Sequence, residues 1–161
     1  MLYIVRHAWA AERHETNFSD DGQRPLTPEG KQRFRRVVEC LAERGFRPKH
    51  VATSPLVRCR ETAEIIAESL SNAPEVETLE ALAPDSDVDA ALRWTARLGD
   101  VDVAWVGHAP DVGEMVATLI GDASALVRFS KGAVAALDFN GLPERGEGVL
   151  RWLVTAKMLG C

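Results

Sequence analysis

The segment Leu2-Tyr3-Ile4-Val5-Arg6-His7-Ala8 is the stretch from which the fold of this chain can be worked out. Its first four residues are apolar and mostly favour β structure, so the segment predicts a short buried strand. Arg6 and His7 follow directly, and in an open α/β sheet ligands bind outside the carboxyl ends of the strands. The segment therefore predicts a site where an imidazole nucleophile lies beside an anion-binding guanidinium. A surface or capping role for His7 is the alternative.

Strand and helix patterns alternate along the rest of the chain. Apolar runs predict further strands at 50–53, 76–79, 101–106, 132–139 and 149–155. Helical periodicity predicts helices that begin at Pro28, after Ser54-Pro55, after Ser86 and at Val112. This alternation predicts an α/β fold of three layers, with a mostly parallel central sheet flanked by helices. The last two strands, joined through Asn140-Gly141, predict an antiparallel edge near the C-terminus.

The predicted helices begin at residues typical of helix N-termini. Thr27 and Ser54 are good N-caps, and each is followed by a proline suited to the first helical turn. Ser86 and Asp89 have the spacing of a capping box. We therefore expect Thr27, Ser54 and Ser86 to cap the helices that follow them.

The composition narrows the class of protein. The 161 residues are most simply one domain, 1–161, with 46% hydrophobic and 27% charged residues, as in soluble globular proteins. A net charge of −5 argues against a nucleic-acid partner, because there is no basic excess to neutralise phosphates. No apolar run approaches the ~20 residues that cross a bilayer. Because the chain starts on a core strand, we expect no signal peptide and a cytoplasmic location. We also expect a monomer.

The three cysteines, Cys40, Cys59 and Cys161, match neither a zinc spacing nor a redox pair. We expect them to be reduced thiols, as in cytosolic proteins.

Two histidines and two arginines are predicted to converge at one edge of the sheet. His7 and His108 each follow a buried strand, and Arg6 and Arg58 lie at strand-to-helix turns on the same edge. Guanidinium groups match phosphate oxygens in pairs, so this set predicts a pocket for a dianionic phosphoryl group. The arginines should lower the pKa of His7 below its reference of about 6.5 and keep the ring neutral and nucleophilic. For Arg58 alone, a solvated surface position is the alternative.

The same groups make a metal ion unnecessary for the predicted chemistry. Arginines and a second histidine can stabilise the charge on the equatorial oxygens of the transition state. The sequence carries neither an acidic triad nor a Walker loop that would hold a metal. A metal site built from His7, His14 and His108 is the alternative, although nearby acidic residues lack a recognisable ligand spacing.

Three motifs, in this order, resemble the histidine phosphatase superfamily. They are Arg6-His7-Ala8, Ser54-Pro55-Leu56-Val57-Arg58 followed by Glu61-Thr62-Ala63, and Gly107-His108. The short length and the segment Arg24-Pro25-Leu26-Thr27 are most similar to the SixA-type phosphohistidine phosphatases within it. The resemblance covers the whole chain and implies a phosphoglycerate mutase-like fold and no cofactor.

The resemblance also implies roles for individual residues. His7 would be the phosphorylated nucleophile, Arg6, Arg58 and His108 would complete the phosphate pocket, and Arg24 would lie on the substrate side. The chain has Ala8 where the superfamily usually has glycine, a change that also occurs among SixA-type relatives.

The general acid is harder to place in the sequence. Mutase-like members carry a glutamate after the third strand, and here Glu80 and Asp85 are the nearest candidates, with solvated surface charges as the alternative. A phosphohistidine substrate would need an acid less, because its P–N bond is labile and the departing imidazole accepts a proton readily.

The predicted function is a metal-independent phosphatase that removes phosphate from phosphohistidine on a protein, such as a phosphotransfer domain of a signalling relay. One alternative is a small-molecule phosphomonoesterase that uses the same His7 chemistry. Another is a non-catalytic module that binds phosphorylated ligands, for which the arginines alone would suffice. A mutase is disfavoured because the chain is too short for the segments that enclose a mutase intermediate.

Overall fold

The computed structural model describes residues 1–12 and 20–161, and strands and helices alternate along it as predicted. The strands are β1 (Leu2–Arg6), β2 (His50–Thr53), β3 (Glu75–Thr78), β4 (Val103–Gly107), β5 (Val134–Asp138) and β6 (Val149–Val154). The helices are α1 (Pro28–Ala42), α2 (Val57–Ser69), α3 (Val88–Arg97) and α4 (Asp111–Leu119). Short 3-10 helical turns occupy Asp21–Gln23, Glu80–Leu82 and Ala156–Leu159.

The six strands form one sheet in the order β3-β2-β4-β1-β5-β6. The first four strands in this order are parallel, whereas β5 is antiparallel to β1 and β6 is antiparallel to β5. This topology confirms the predicted mostly parallel sheet with an antiparallel edge near the C-terminus. The central strands β1 and β4 contribute side chains to the buried cores on both faces of the sheet, which explains why their sequences are continuous apolar runs.

Helices cover both faces of the sheet and form a separate core on each face. Tyr3 and Val5 of β1 point into one core and Leu2 and Ile4 into the other, because successive strand residues face opposite sides. Helices α1 and α2 pack on the first face, and α3 and α4 pack on the second. The three predicted layers are therefore present.

The helix N-termini only partly follow the predicted caps. Thr27 caps α1 as predicted, since its hydroxyl accepts a hydrogen bond from the N–H of Gly30 at 2.9 Å. The cap of α3 is Asp87 and not Ser86, because the helix begins one residue later and the Asp87 carboxylate accepts from the N–H of Ala90. The prediction for Ser54 is also wrong: α2 begins at Val57, and Ser54 is fully buried in contact with another part of the chain.

The carboxyl ends of the parallel strands bring distant residues to one edge of the sheet. Thr53 pairs with Val106, and Arg6 pairs with Gly107. Consequently His7, Ser54 and His108 follow three adjacent strands at nearly the same level. Within the described residues, no helix is both long and apolar enough to cross a membrane.

Candidate active site

A cavity of about 680 Å³ opens at this edge of the sheet. Its lining includes six of the seven residues proposed from the sequence, namely Arg6, His7, Arg24, Arg58, Asp85 and His108. Glu80 is exposed on its 3-10 turn and does not line the cavity. The four residues expected together from their positions at strand ends, His7, His108, Arg6 and Arg58, therefore line one cavity, as do Arg24 and Asp85, whereas Glu80 does not.

His7 is held with one ring nitrogen available for chemistry. The side chain is 7% exposed, and its Nδ1 lies 2.8 Å from the carbonyl oxygen of Ala8. A carbonyl oxygen only accepts, so Nδ1 must carry the proton in this contact. In the neutral ring, Nε2 then keeps its lone pair. This tautomer is the one that a nitrogen nucleophile needs.

The surroundings of His7 keep its ring neutral. Burial, followed by the positive charges of Arg58 and Arg6 and the neighbouring His108, lowers the pKa of His7 to about 3, despite the opposing hydrogen bond to Ala8. The direction agrees with the sequence prediction, although burial and not the arginines is the largest cause. At neutral pH the imidazole is therefore in its neutral form, with a proton on Nδ1 only.

Ala8 itself is buried without needing a glycine conformation. Among the described residues, Ala73 and Asp85 are the ones other than glycine with a positive φ, so the backbone at Ala8 has a φ that any residue can adopt. The N–H of Ala8 donates to Oγ1 of Thr62 at 3.0 Å, and Thr62 donates in turn to the carbonyl oxygen of Arg58. Thr62 thus ties the nucleophile loop to the arginine-bearing helix α2.

His108 lies across the cavity from His7, with 5.5 Å between the ring centroids. Its Nε2 lies 2.8 Å from Oγ of Ser54, and the N–H of Leu56 reaches the same oxygen at 3.4 Å. If the Ser54 hydroxyl donates its proton to Nε2, the proton of the neutral His108 ring lies on Nδ1, where it can be donated to a ligand.

The pKa of His108 is lowered to about 4, chiefly by burial and then by Arg58. Cys59 packs against this ring, with Sγ 3.4 Å from Nε2. Burial raises the pKa of the Cys59 thiol to about 12, so it stays protonated and acts as packing.

Arg6 reaches the cavity from the end of β1. Its Nη1 donates to the carbonyl oxygen of Phe129 at 2.7 Å, while its Nε is buried with no hydrogen-bond partner among the described residues. Burial lowers the pKa of this guanidinium. A side chain at Gly113 would collide with the carbonyl oxygen of Val127, so Gly113 lets the loop that positions Phe129 lie against α4.

Arg58 is 5% exposed and is therefore part of the cavity wall, not a solvated surface residue. Its Nη1 donates to the backbone carbonyl of Asp21 at 2.9 Å and lies 3.3 Å from the Asp21 carboxylate. Arg24 donates to the same carboxylate through Nε at 3.0 Å and to the carbonyl oxygen of Ala11. Asp21 thus holds two arginines at the cavity, a role that the sequence analysis missed.

A buried carboxyl group that was not predicted from the sequence also lines the cavity. Asp111, in the first turn of α4, lines the cavity and is 6% exposed. Burial, then the negative charges of Glu114 and Asp85, raise the pKa of Asp111, while the main-chain N–H of Asp85 donates to its carboxylate. Asp111 could have been recognised from the sequence, because it lies three residues after His108 at the start of a predicted helix.

Residues 1–12 and 20–161 contain no group of three or more His, Cys, Asp or Glu side chains that could hold a metal ion. The proposed metal site of His7, His14 and His108 includes His14, which lies outside the described residues. That alternative therefore stays a sequence-based hypothesis.

Residues 2–84 match the model of the histidine phosphatase superfamily (branch 1). The chain is 30% identical to phosphohistidine phosphatase SixA of Escherichia coli over 155 residues, 94% of this chain and 91% of that protein. An uncharacterized protein of Picosynechococcus is 39% identical over 116 residues, 70% of this chain and 68% of its own length.

Among solved structures, the protein histidine phosphatase SixA complexed with tungstate superposes with a TM-score of 0.84 and 27% identity, and 98% of each chain is covered. This likeness, together with a TM-score of 0.73 to a phosphoserine phosphatase of Entamoeba histolytica over 98% of each chain, confirms the expected phosphoglycerate mutase-like fold.

Proposed function

The chain belongs to the histidine phosphatase superfamily, and from that premise we propose that it hydrolyses phosphohistidine on a protein through a phosphorylated intermediate on His7. The observation that carries the proposal is the contact between Nδ1 of His7 and the carbonyl oxygen of Ala8. It leaves the Nε2 lone pair free in a cavity that also presents Arg6, Arg58 and His108. A module that only binds phosphate would need the arginines but not an oriented neutral imidazole.

In the first step, the Nε2 lone pair of His7 attacks phosphorus and forms an N–P bond. The bond between phosphorus and the leaving nitrogen breaks, and its electron pair stays on the departing imidazole, which leaves as a neutral ring because its second nitrogen is already protonated. Positive charge from Arg6 and Arg58 offsets the negative charge on the phosphoryl oxygens. His108 adds a hydrogen-bond donor through the proton on Nδ1.

In the second step, a water molecule attacks the phosphorus of phosphorylated His7. The P–Nε2 bond breaks, its electron pair returns to His7, and the attacking water loses one proton to solvent as inorganic phosphate forms. The hydrogen bond to Ala8 keeps the proton on Nδ1 throughout, so each cycle ends in the starting tautomer. No step requires a metal ion or a cofactor.

The choice of phosphohistidine as substrate is supported by the relatives. The relative that aligns with 94% of this chain is a phosphohistidine phosphatase, and a related structure holds tungstate, a tetrahedral oxyanion like phosphate. We propose that Arg6 and Arg58 bind the phosphoryl group here, with Arg24 on the substrate side.

A protein substrate is supported by the surface beside the cavity. A groove of about 790 Å³ shares Arg6, Ala109, Pro110 and Glu114 with the cavity and continues along residues 125–130. Leu126 on this groove is 100% exposed. An apolar side chain next to a phosphate site offers a contact to a protein that carries the phosphorylated histidine, such as a phosphotransfer domain. We propose that the chain acts on such a partner as a cytoplasmic monomer.

A small phosphate ester is the second candidate substrate, because a cavity of about 680 Å³ has room for one. Both candidates share the His7 chemistry, so only turnover of the two substrate classes separates them. We expect the kcat/KM for a phosphohistidine protein to exceed that for p-nitrophenyl phosphate.

The decisive experiment is to mix the protein with a partner carrying radiolabelled phosphohistidine, in the presence of EDTA, and to quench within milliseconds. We expect an acid-labile label on His7 and its loss as inorganic phosphate appears. His7→Ala should show neither label nor phosphate release while its circular dichroism spectrum matches that of the wild type. Phosphate release by His7→Ala would refute the covalent mechanism, and a requirement for added metal would revive the metal alternative.

A further inference from the structure

The cavity lining carries side chains of both charges. Arg6, Arg24 and Arg58 line it, and the phosphoryl group would bind to them. Three carboxyl groups, Asp85, Asp111 and Glu114, also line it, supplied by the loop after β3 and the first turn of α4, and the charges that shift the pKa of Asp111 are those of Glu114 and Asp85 and not of these arginines.

In the part of the chain that the structure describes, none of these three carboxyl groups forms an ion pair with a lysine or arginine. The one lysine on the cavity lining, Lys131, pairs with Glu12 at 3.5 Å. Clustered carboxylates without a counter-ion destabilise one another, so their position on a phosphate-binding cavity calls for a compensating role.

The three groups also lie close enough to affect one another. The negative charges of Glu114 and Asp85 raise the pKa of Asp111, and the main-chain N–H of Asp85 donates to its carboxylate. The start of α4 favours negative charge, which explains why carboxylates are tolerated there. The start of α4 does not explain why a carboxylate is also present at Asp85. This residue lies on the loop after β3, in a left-handed conformation with a φ of 65°.

A substrate whose phosphoryl group contacts the arginines must place its leaving group elsewhere in the same cavity. There it meets the carboxyl groups, which attract a positive charge and repel a negative one. We infer that Asp85, Asp111 and Glu114 select phosphoryl compounds whose leaving group is cationic, such as an imidazole protonated at its second nitrogen, and disfavour esters that carry a carboxylate. The inference rests on the proposed phosphatase function of the cavity.

The test uses three aryl phosphates that differ in the para substituent: trimethylammonium, methyl or carboxylate. For each protein the measured quantity is the ratio of kcat/KM for the cationic substrate to that for the anionic one. Because the intrinsic reactivity of the substrates is the same for all variants, a change in this ratio reports the charge of the cavity alone. The double variant Asp85→Asn/Glu114→Gln removes two exposed carboxylates with little change in shape.

We expect this ratio to fall roughly threefold to tenfold in the double variant, the effect of neutralising two partly exposed charges. Asp111→Asn should lower it further. Added salt should reduce the ratio for the wild type more than for the double variant. The control is Glu144→Gln/Glu147→Gln, which makes the same change in net charge on the exposed loop between β5 and β6 and should leave the ratio unchanged.

An unchanged ratio in the double variant, or an equal change in the control, would overturn the inference while leaving the phosphatase function intact. Absence of turnover with all three substrates and with a phosphohistidine protein would instead defeat the proposed function. A loss of activity toward all substrates in equal proportion would show that the carboxyl groups only maintain the shape of the cavity, and this also would overturn the inference.

Discussion

The Ser54 hydroxyl lies 2.8 Å from Nε2 of His108, although the two residues are 54 positions apart in sequence. Strands β2 and β4 are neighbours in the sheet, so the residues that follow them meet at its edge. Ser54 therefore fixes the orientation of the second histidine, where the sequence had predicted a helix cap.

Replacing Ser54 by alanine should lower kcat with little effect on stability beyond the lost hydrogen bond. Without the hydroxyl, the proton of the His108 ring is no longer directed to Nδ1, so a donor to the transition state is partly lost. We expect a decrease in kcat of about tenfold, less than the 10²-fold or more that removal of a whole donor costs. Steady-state kinetics with p-nitrophenyl phosphate would measure it.

Thr53→Val is the matched control for this variant. It removes the neighbouring buried hydroxyl, which donates to the carbonyl oxygen of Ser54 and does not reach His108. Equal rates for Ser54→Ala and the wild type would show that Ser54 does not position His108.

Acid should destabilise the fold through the two buried histidines. In the unfolded chain they bind protons near pH 6.5, whereas in the folded protein their pKa values are about 3 for His7 and about 4 for His108. Between pH 6.5 and about 4 the unfolded state therefore binds more protons, and stability falls as pH falls, by up to about 1.4 kcal/mol per pH unit for each histidine.

Urea unfolding at pH 7, 6 and 5 would measure this slope. The double variant His7→Gln/His108→Gln should show a flatter dependence, because glutamine does not titrate. A variant with the same slope as the wild type would show that these histidines are not the groups held neutral by burial.

The elements that were predicted correctly are those with strong local patterns. The apolar runs of β1 and β4 and the helical periodicity of α1 can be recognised from neighbouring residues alone. The rule that ligands bind at the carboxyl ends of parallel strands then places His7 near His108. Contacts between distant segments carry no such pattern. Asp21 reaches Arg58 across 37 positions, and Asp111 lines the cavity only because α4 begins beside the loop after β3.

Arg58→Ala should lower kcat/KM by about 10²-fold, because a buried guanidinium next to the reacting phosphorus is lost. Arg58→Lys should recover only part of the activity, since an ammonium group cannot match two phosphoryl oxygens as a planar fork does. Arg60→Ala, an exposed position on the same helix, should retain the activity of the wild type. Full activity of Arg58→Lys would indicate that Arg58 contributes charge but no geometry.

The exposed Leu126 should matter for a protein substrate but not for a small one. Leu126→Asp places a charge on the groove beside the cavity, where an apolar partner surface would otherwise contact the leucine. We expect kcat/KM for a phosphohistidine protein to fall about fivefold or more, the scale of one lost apolar contact, with no change for p-nitrophenyl phosphate. Leu142→Asp, at an exposed leucine on the loop between β5 and β6, is the control. An equal effect of the two variants would exclude the groove as the docking surface.

The dependence of rate on the leaving group should reveal whether any carboxyl group acts as an acid. Glu80 is exposed and does not line the cavity, whereas Asp85 lines it from an exposed position, so of these two only Asp85 could reach a departing oxygen. Without an acid, rates should fall from phosphohistidine to aryl phosphates and again to alkyl phosphates, as the leaving group becomes a stronger base.

Uncharged aryl phosphates of graded leaving-group pKa separate this effect from charge selection in the cavity. A plot of log kcat against that pKa should be steep for the wild type. It should be parallel for Glu80→Gln and Asp85→Asn, and also for Asp111→Asn, which tests the carboxyl group whose pKa the cavity raises. A positioned acid contributes about 10²–10⁴-fold, and most where the leaving group is poorest, so its removal would steepen the plot visibly. A steeper line for one of the three variants would identify that residue as the acid. Efficient turnover of alkyl phosphates by the wild type would then favour a small phosphate ester over phosphohistidine as the substrate.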